Sequence, residues 1–529
     1  MSLMTSGNSR LAQIIRILSI AIGIASTTIP GKCQSTGSPV VLTERASARF
    51  LDQATWGPTT ASIARLHQMG IENWLEWQFS LNSTDIPDQS LLALDLAPVQ
   101  NAFFTNAIHG EDQLRQRVAF ALSKIWVVSA VQFDPVYPFP PYWRVLKDNA
   151  FGNYRDIIEA ITLNPAMGDY LSMANNNKGN TAFGTMPNEN YARELMQLFT
   201  LGLAQLTLDG SEILDSNQNP IPTFNQIDVE NMAMALTGWT YPTTPGAIPK
   251  NNNPPYYFGQ MFTVEQNHDT SPKTILGNIT ITSGQTAKQD LASVIDALMQ
   301  QETMAPFICR QLIQQLVTSN PGPAYVQRVA KVFLDNGRGI RGDMKDVISA
   351  ILTDPEARAE DYAGVLADPN SGHLREPVLF ITNVLRGLNA KLGRNTKISV
   401  YASKLGQDLF RAPSVFSYFS PRYQIEDGLL GPEFQILSTQ TAIERINFIR
   451  DVLSGGFDRS TTIDLTPFSE VASDIPELLD LIGSVFMHRS MSQDLYQAAF
   501  SAASRSQGLT RVKAALYVVL TSSEYQILR

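Results

Sequence analysis

From Thr43 to the end of the chain, apolar side chains recur at three- and four-residue intervals in one segment after another. That periodicity restricts the fold to a helical architecture. In EDQLRQRVAFALSKIWVVSA, Leu114, Val118, Ala121, Leu122, Ile125 and Ser129 trace one stripe. TASIARLHQMG carries Ile63 and Leu66 on one face and stops at Gly70. NYRDIIEAI, QDLASVIDALMQ, MAPFICRQLIQQLVTS, AYVQRVAKVFLDNG, DMKDVISAILTD and REPVLFITNVLRGL follow the same rule, and IPELLDLIGSVFMH, SQDLYQAAFSAAS and TRVKAALYVVLTSSEYQ repeat it in the tail. Strict alternation is scarce, and KTILGNITIT at 273–282, with Asn278 near its turn, is the best hairpin candidate. The expectation is a mainly α fold: a single large multi-helix domain over 42–529 with long irregular loops and at most a small β-hairpin. The C-terminal helices 473–529 belong to it.

Three stretches interrupt the helices: VQFDPVYPFPPYW at 131–143, MANNNKGNTAFGTMP at 173–187, and the long segment 240–273. Loops of this length inside a domain are functional or disordered, and their aromatic content favours packing. The 529 residues are 44% hydrophobic, enough for one large core or two ordinary ones. Apolar helices flank every loop, so one domain is the economical reading.

SRLAQIIRILSIAIGIASTTIPGKCQS has the order of a secretory signal: Arg10 and Arg16, then apolar Ile17 to Ala25, then small residues. A signal over residues 1–28 cleaved between Ala25 and Cys33 is expected, a retained anchor being the alternative. The apolar run is shorter than the roughly 20 residues a span requires, so no stable membrane span remains after signal removal. The mature protein is expected in the periplasm, the cell envelope or outside the cell. Cys33 and Cys309 are the only cysteines, which excludes a disulfide framework, and Lys32 spoils a lipoprotein site at Cys33.

A net charge of −9, from 40 basic and 49 acidic residues, leaves no basic track for phosphates, so nucleic acid is not an expected partner. GRGIRG matches a dinucleotide fingerprint in spacing, but a helix precedes it where the mechanics need a strand. Gly337 reads as that helix's C-cap. Asp343 reads as the N-cap of the next helix, which explains the Arg341-Gly342-Asp343 string without an adhesion partner. There is no G-x-S-x-G, H-E-x-x-H, paired C-x-x-C or Walker loop, and the five histidines are scattered.

PNENYARELMQLFTLG, 187–202, is different. Tyr191, Leu195, Leu198 and Phe199 share one apolar arc. Asn188, Glu189, Asn190, Arg193 and Glu194 crowd its start and opposite side. The spacing predicts contact within Glu189–Arg193 and within Asn190–Glu194. Pattern alone reads as an amphipathic helix with a wetted back. The surroundings suggest a site wall: an Asn-rich loop precedes it, Trp239 follows at a helix end, and NHDTSPK sets His268 beside Asp269 with Lys273 close by in a loop.

Taken with RFLDQATWGPT, RQRVAFALSKIWVVS, NPAMGDYL, ALTGWTY, APFICRQLIQQLVTSNP, RGDMKDVISAILTDPEAR, REPV, APSVFSYFSP and LYVVLTSSEYQILR, the chain resembles a bacterial domain-of-unknown-function family, the one numbered 1800, from about Arg49 to Arg529. The resemblance implies export and a sulfatase-like exported protein encoded nearby, but no reaction. Its Asn-Glu-Asn-x-Ala-Arg-Glu block falls on Asn188, Glu189, Asn190, Ala192, Arg193 and Glu194, and its His-Asp-Lys element on His268, Asp269 and Lys273. The long 240–266 stretch departs from the family pattern.

Two readings follow. In one the protein is a hydrolase-type enzyme: Glu189 or Glu194 serves as acid and base, Arg193 binds an anionic group, and His268 is a partner or metal ligand. Asn188, Asn190, Trp239, Asp269 and Lys273 would be binding residues. Carboxylates with one histidine would also suit a hard divalent metal. In the other the helices are an envelope scaffold whose aromatic loops bind a glycan or the sulfatase-like partner, and the polar cluster locks helices together.

Overall fold

The helix Glu44–Ala54 starts where the Thr43 hydroxyl accepts a hydrogen bond from the Ala46 amide, and every residue from Ala46 to Ala54 is buried. It carries Arg49, Asp52 and Gln53 into the interior, so three polar side chains must find partners there. Those partners shape the molecule. The computed structural model describes residues 42–361, 370–394, 396–458 and 460–529. The signal-like segment 1–28, its cleavage window and Cys33 lie outside the described residues.

Residues 42–529 form one compact unit, with 22 helices and three two-stranded sheets among the described residues. The helix Pro377–Gly387 is buried over its full length and sits against the first helix. Helices pair in sequence order around this centre: Met304–Leu316 with Pro323–Leu334, and Gln493–Ser504 with Gly508–Leu520. One continuous apolar core runs through them all. No helix among the described residues is long and apolar enough to cross a membrane.

The expected hairpin pairs Lys273–Ile275 with Ile279–Ile281 in register Ile275↔Ile279. Its left-handed residues are Leu276 and Gly277, just before Asn278. Two further pairs, Trp239–Thr240 with Phe262–Thr263 and His373–Leu374 with Ile527–Leu528, each join strands of two residues. Alternation cannot reveal strands so short. Asp343 caps its helix as expected, accepting from the Asp346 amide. The preceding helix, in contrast, ends at a cap on Asp335, and Gly337 lies two residues beyond in a left-handed turn. The 240–273 loop is packed: Tyr257 lies 5.4 Å from Tyr137, 5.6 Å from Phe133 and 5.9 Å from Tyr241, and its hydroxyl donates to the Asp169 carboxylate.

The polar residues of the first helix close a buried network. Asp52 Oδ2 accepts from Arg375 Nη2 at 2.6 Å and from His488 Nε2 at 2.8 Å, while Oδ1 accepts from Asn383 Nδ2 at 2.7 Å. The Tyr525 hydroxyl donates to Asn383 Oδ1 at 2.7 Å. Lys124 pairs with the neighbouring Glu376, whose second oxygen accepts from Gln407. His488 reaches Asp52 because the π-helical turn Gly483–Met487 ends there in a left-handed residue, φ 58°. Burial alone would raise the Asp52 pKa, but Arg375 and His488 hold it well below the usual carboxylate range.

A folded-state pKa below the unfolded value adds stability that is complete above the unfolded pKa, near 4, and disappears as pH falls toward the folded one. Asp52→Asn strands the Arg375 charge and is expected to cost about 3–5 kcal/mol at pH 7. The gap from wild type should narrow below about pH 4. Urea denaturation at both pH values measures it; equal stabilities at pH 7 would refute the role assigned to Asp52.

Candidate functional site

Glu189 is the N-cap of the helix Asn190–Gln197, so Pro187 and Asn188 lie before it. Asn188 is fixed by Asn176: its amide donates to Asn176 Oδ1 at 2.8 Å, and Asn176 Nδ2 donates to its carbonyl at 2.9 Å. Asn188 Oδ1 in turn accepts from the Asn190 amide at 2.9 Å, and both asparagine side chains face solvent. Arg193 Nη2 donates to Glu189 Oε2 at 2.8 Å and to Gln226 Oε1 at 3.0 Å, and Gln226 Nε2 returns a bond to Glu189 at 3.0 Å. Arg193 and Glu189 keep 38% and 34% of their side-chain surface, so they form a partly wetted clasp between two helices.

Glu194 stands apart from this clasp. Its half-buried carboxylate makes no hydrogen bond or ion pair with any described residue. Burial raises its pKa above the usual range, with Arg193 opposing. Tyr170 is close enough for the Glu194 charge to add to the upward push of burial on the phenol.

His268, Asp269 and Lys273 make no hydrogen bond or ion pair with that clasp, although Gly238, against which His268 packs, donates its amide to the Asn176 carbonyl at 2.9 Å. His268 is 0% exposed. Its Nδ1 faces the Thr237 carbonyl at 3.0 Å, and its Nε2 faces Asp290 Oδ2 at 3.2 Å. Lys273 Nζ donates to the same Asp290 oxygen at 2.8 Å and to the Ser271 carbonyl at 2.9 Å. Asp290 enters from the first turn of the helix Ala287–Gln300 and is fully buried. The loop is held against Gly238 (φ +86°), where an added Cβ would lie 2.8 Å from His268 Cβ. Asp269 keeps 19% of its side-chain surface and accepts from the Ser271 amide. Trp239, on its two-residue strand, is buried with its indole N–H unpartnered.

The structure therefore joins Glu189 to Arg193, and His268 to Lys273 through Asp290, with no hydrogen bond or ion pair between the two groups among the described residues. Sequence reasoning missed Asp290 because it reads as an ordinary first-turn acid. Among the described residues, no three His, Cys, Asp or Glu side chains gather to hold a metal.

The other end of the same segment does reach a cavity. Gln197, Leu198, Gly202 and Leu203 form one wall of a cleft of about 350 Å³. Gly202 (φ +76°) is required, since a Cβ there would meet the Phe307 ring at 2.6 Å. Phe307, Arg310, Gln311 and Gln314 of the helix Met304–Leu316 face it, with Lys124 and Ile125 behind and Val415, Phe416 and Arg422 opposite. These positions fall within four of the segments that carry the family resemblance or directly beside them.

Lys124 is occupied by Glu376 and lies 4.5 Å over the Phe120 ring. Arg310 is not occupied: it makes no hydrogen bond or ion pair with a described residue. Burial lowers its pKa and the Arg422 guanidinium lowers it further, with Glu212 opposing. Glu212 pairs weakly with Arg422 at 3.9 Å. A faint signal was present in sequence: in MAPFICRQLIQQL, Arg310, Gln311 and Gln314 form a polar stripe on an otherwise apolar helix.

The chain matches the family described as Protein of unknown function (DUF1800) over residues 49–527. No curated protein and no solved structure matches it.

The two polar groups should differ sharply in stability effect. Asp290→Ala leaves the Lys273 ammonium buried without its carboxylate and is expected to cost about 3–5 kcal/mol. Glu189→Gln opens a surface i,i+4 pair and should cost no more than about 0.5 kcal/mol. Chemical denaturation of both variants decides; comparable losses would contradict the burial argument.

Proposed function

Because the chain belongs to the DUF1800 family, whose description assigns no reaction, we propose from its geometry that it is a binding protein. Its ligand is an elongated apolar molecule with one anionic end. The carrying observation is Arg310, a half-buried guanidinium without a carboxylate partner, set close to Arg422 in a cleft with apolar walls. The half-buried Arg310 feels the repulsion of the exposed Arg422, which Glu212 offsets only from 3.9 Å, so an anion placed between them is favoured. Leu198, Leu203, Leu206, Phe307 and Phe416 supply the surface for the apolar body, and glutamine amides supply orienting hydrogen bonds. The volume is at the small end of the roughly 300–1,000 Å³ typical of ligand sites. Export and a sulfatase-like partner are carried into this proposal by the N-terminal pattern and the family resemblance.

A second reading is favoured by Glu194. A carboxyl group with a raised pKa and no partner is suited to proton donation. Leu198, one turn further on the same helix face, lines the cleft. In this reading the protein is a hydrolase-type enzyme in which Glu194 protonates a leaving group, and Arg193 and Glu189 hold its helix in place. His268 keeps to its buried partnership with Asp290.

Calorimetric titration with decanoate tests the binding reading. Saturable binding by wild type and at least about tenfold weaker binding by Arg310→Ala are expected from loss of a charge-assisted contact. Absence of binding, or equal affinity in the variant, defeats it. For the enzymatic reading, 4-nitrophenyl decanoate is the probe. Turnover should fall as pH rises through the Glu194 pKa and be lost in Glu194→Gln; identical rates in variant and wild type rule the acid role out.

A further inference from the structure

Six arginines are buried among the described residues: Arg49, Arg117, Arg358, Arg375, Arg386 and Arg445. Five have carboxylates acting on them. Arg49 and Arg358 pair with Asp361, and Arg375 with Asp52. Arg117 feels Glu376, Asp52 and Glu433, and Arg445 feels Glu433. Arg386, only 7% exposed, has none. Its Nε donates to the Gly57 carbonyl at 2.6 Å, and its Nη1 to those of Ile108 at 2.6 Å and Ala107 at 3.4 Å. Burial pushes its pKa down to about 10, so the group still carries its charge at neutral pH. A buried cation offset only by carbonyl dipoles is costly, and such charges are ordinarily paired or sit at binding sites.

Arg386 is also not sealed in. It lines a second cleft, of about 360 Å³, between the helices Thr60–Met69 and Ile71–Ser80, the turn at 108–113 and residues 389–391. Its bonds to described residues run from Nε and Nη1, leaving Nη2 without one. Trp74 and Trp77 give the cleft an aromatic wall. On the exposed rim stand Arg65, 4.9 Å over the Trp77 ring, and Lys391, neither in an ion pair with a described residue. Glu111 is the single acid in the lining, and it too is exposed and unpaired. Burial and the Arg386 charge both lower the His109 pKa. The lining thus carries three cations against one anion, in a chain whose net charge is −9.

We infer that this second cleft binds a small organic oxyanion, a carboxylate on a flat ring, with the oxyanion at Arg386 and the ring along the tryptophan wall. Arg65 and Lys391 draw the ligand in and close over it. The site is independent of the Arg310 cleft, with which it shares no lining residue.

Benzoate is the probe, followed by calorimetry and by tryptophan fluorescence, to which Trp77 reports. Wild type should bind it saturably and Arg386→Gln at least about tenfold more weakly, a substitution that strands no carboxylate. The Arg65→Ala/Lys391→Ala double variant, altered only on the exposed rim, should also bind more weakly and lose most of its salt dependence. Arg310→Ala should bind benzoate as wild type does. No saturable binding by wild type overturns the inference. So does undiminished affinity in both Arg386→Gln and the rim double variant, or a loss caused by Arg310→Ala.

Discussion

The Asp52 carboxylate is where the separate parts of this molecule meet. The first helix supplies it, the link between the strand His373–Leu374 and the central helix supplies Arg375, the central helix supplies Asn383, and the C-terminal region supplies His488 and Tyr525. Each group is buried, so none can exchange its protein partner for water when one is lost. A hydrophobic core tolerates small shifts among its members, whereas a carboxylate with three fixed donors does not. That difference explains why one helix order and one placement of the chain ends satisfy the sequence.

Against this rigid centre, the polar chemistry near the surface divides by whether a charge is matched. Glu189 with Arg193, and Lys273 and His268 with Asp290, are matched and behave as fasteners. Arg310 and Arg386 are cations without an acid in contact, and Glu194 is an acid without a cation in contact. The two arginines line clefts, and Glu194 lies one turn before Leu198, which lines one of them.

Much of this was legible in the sequence, for identifiable reasons. Apolar spacing located the helices because burial of one face is what stabilises a helix in a globular protein. The Glu189–Arg193 contact followed from their spacing, and the packing of the 240–273 loop from its tyrosines. His268 was legible only in part. Its loop setting suggested freedom to reach across a site, but the loop folds inward and Asp290, from a helix later in the chain, holds it. The clefts were not legible, since their walls come from segments hundreds of residues apart whose polar positions look, one by one, like ordinary helix surface. Arg386 in particular stands in a run of apolar residues whose helix is buried on every side.

The pairing of His373–Leu374 with Ile527–Leu528, together with the bond from Arg49 Nε to the Arg529 carbonyl at 3.0 Å, ties the beginning of the domain to its very last residues. Until those residues leave the ribosome, Arg375 has no strand beside it and Asn383 no tyrosine. The buried network around Asp52 is therefore complete only once the segment carrying Tyr525 to Leu528 has docked, so its closure is a long-range event in folding.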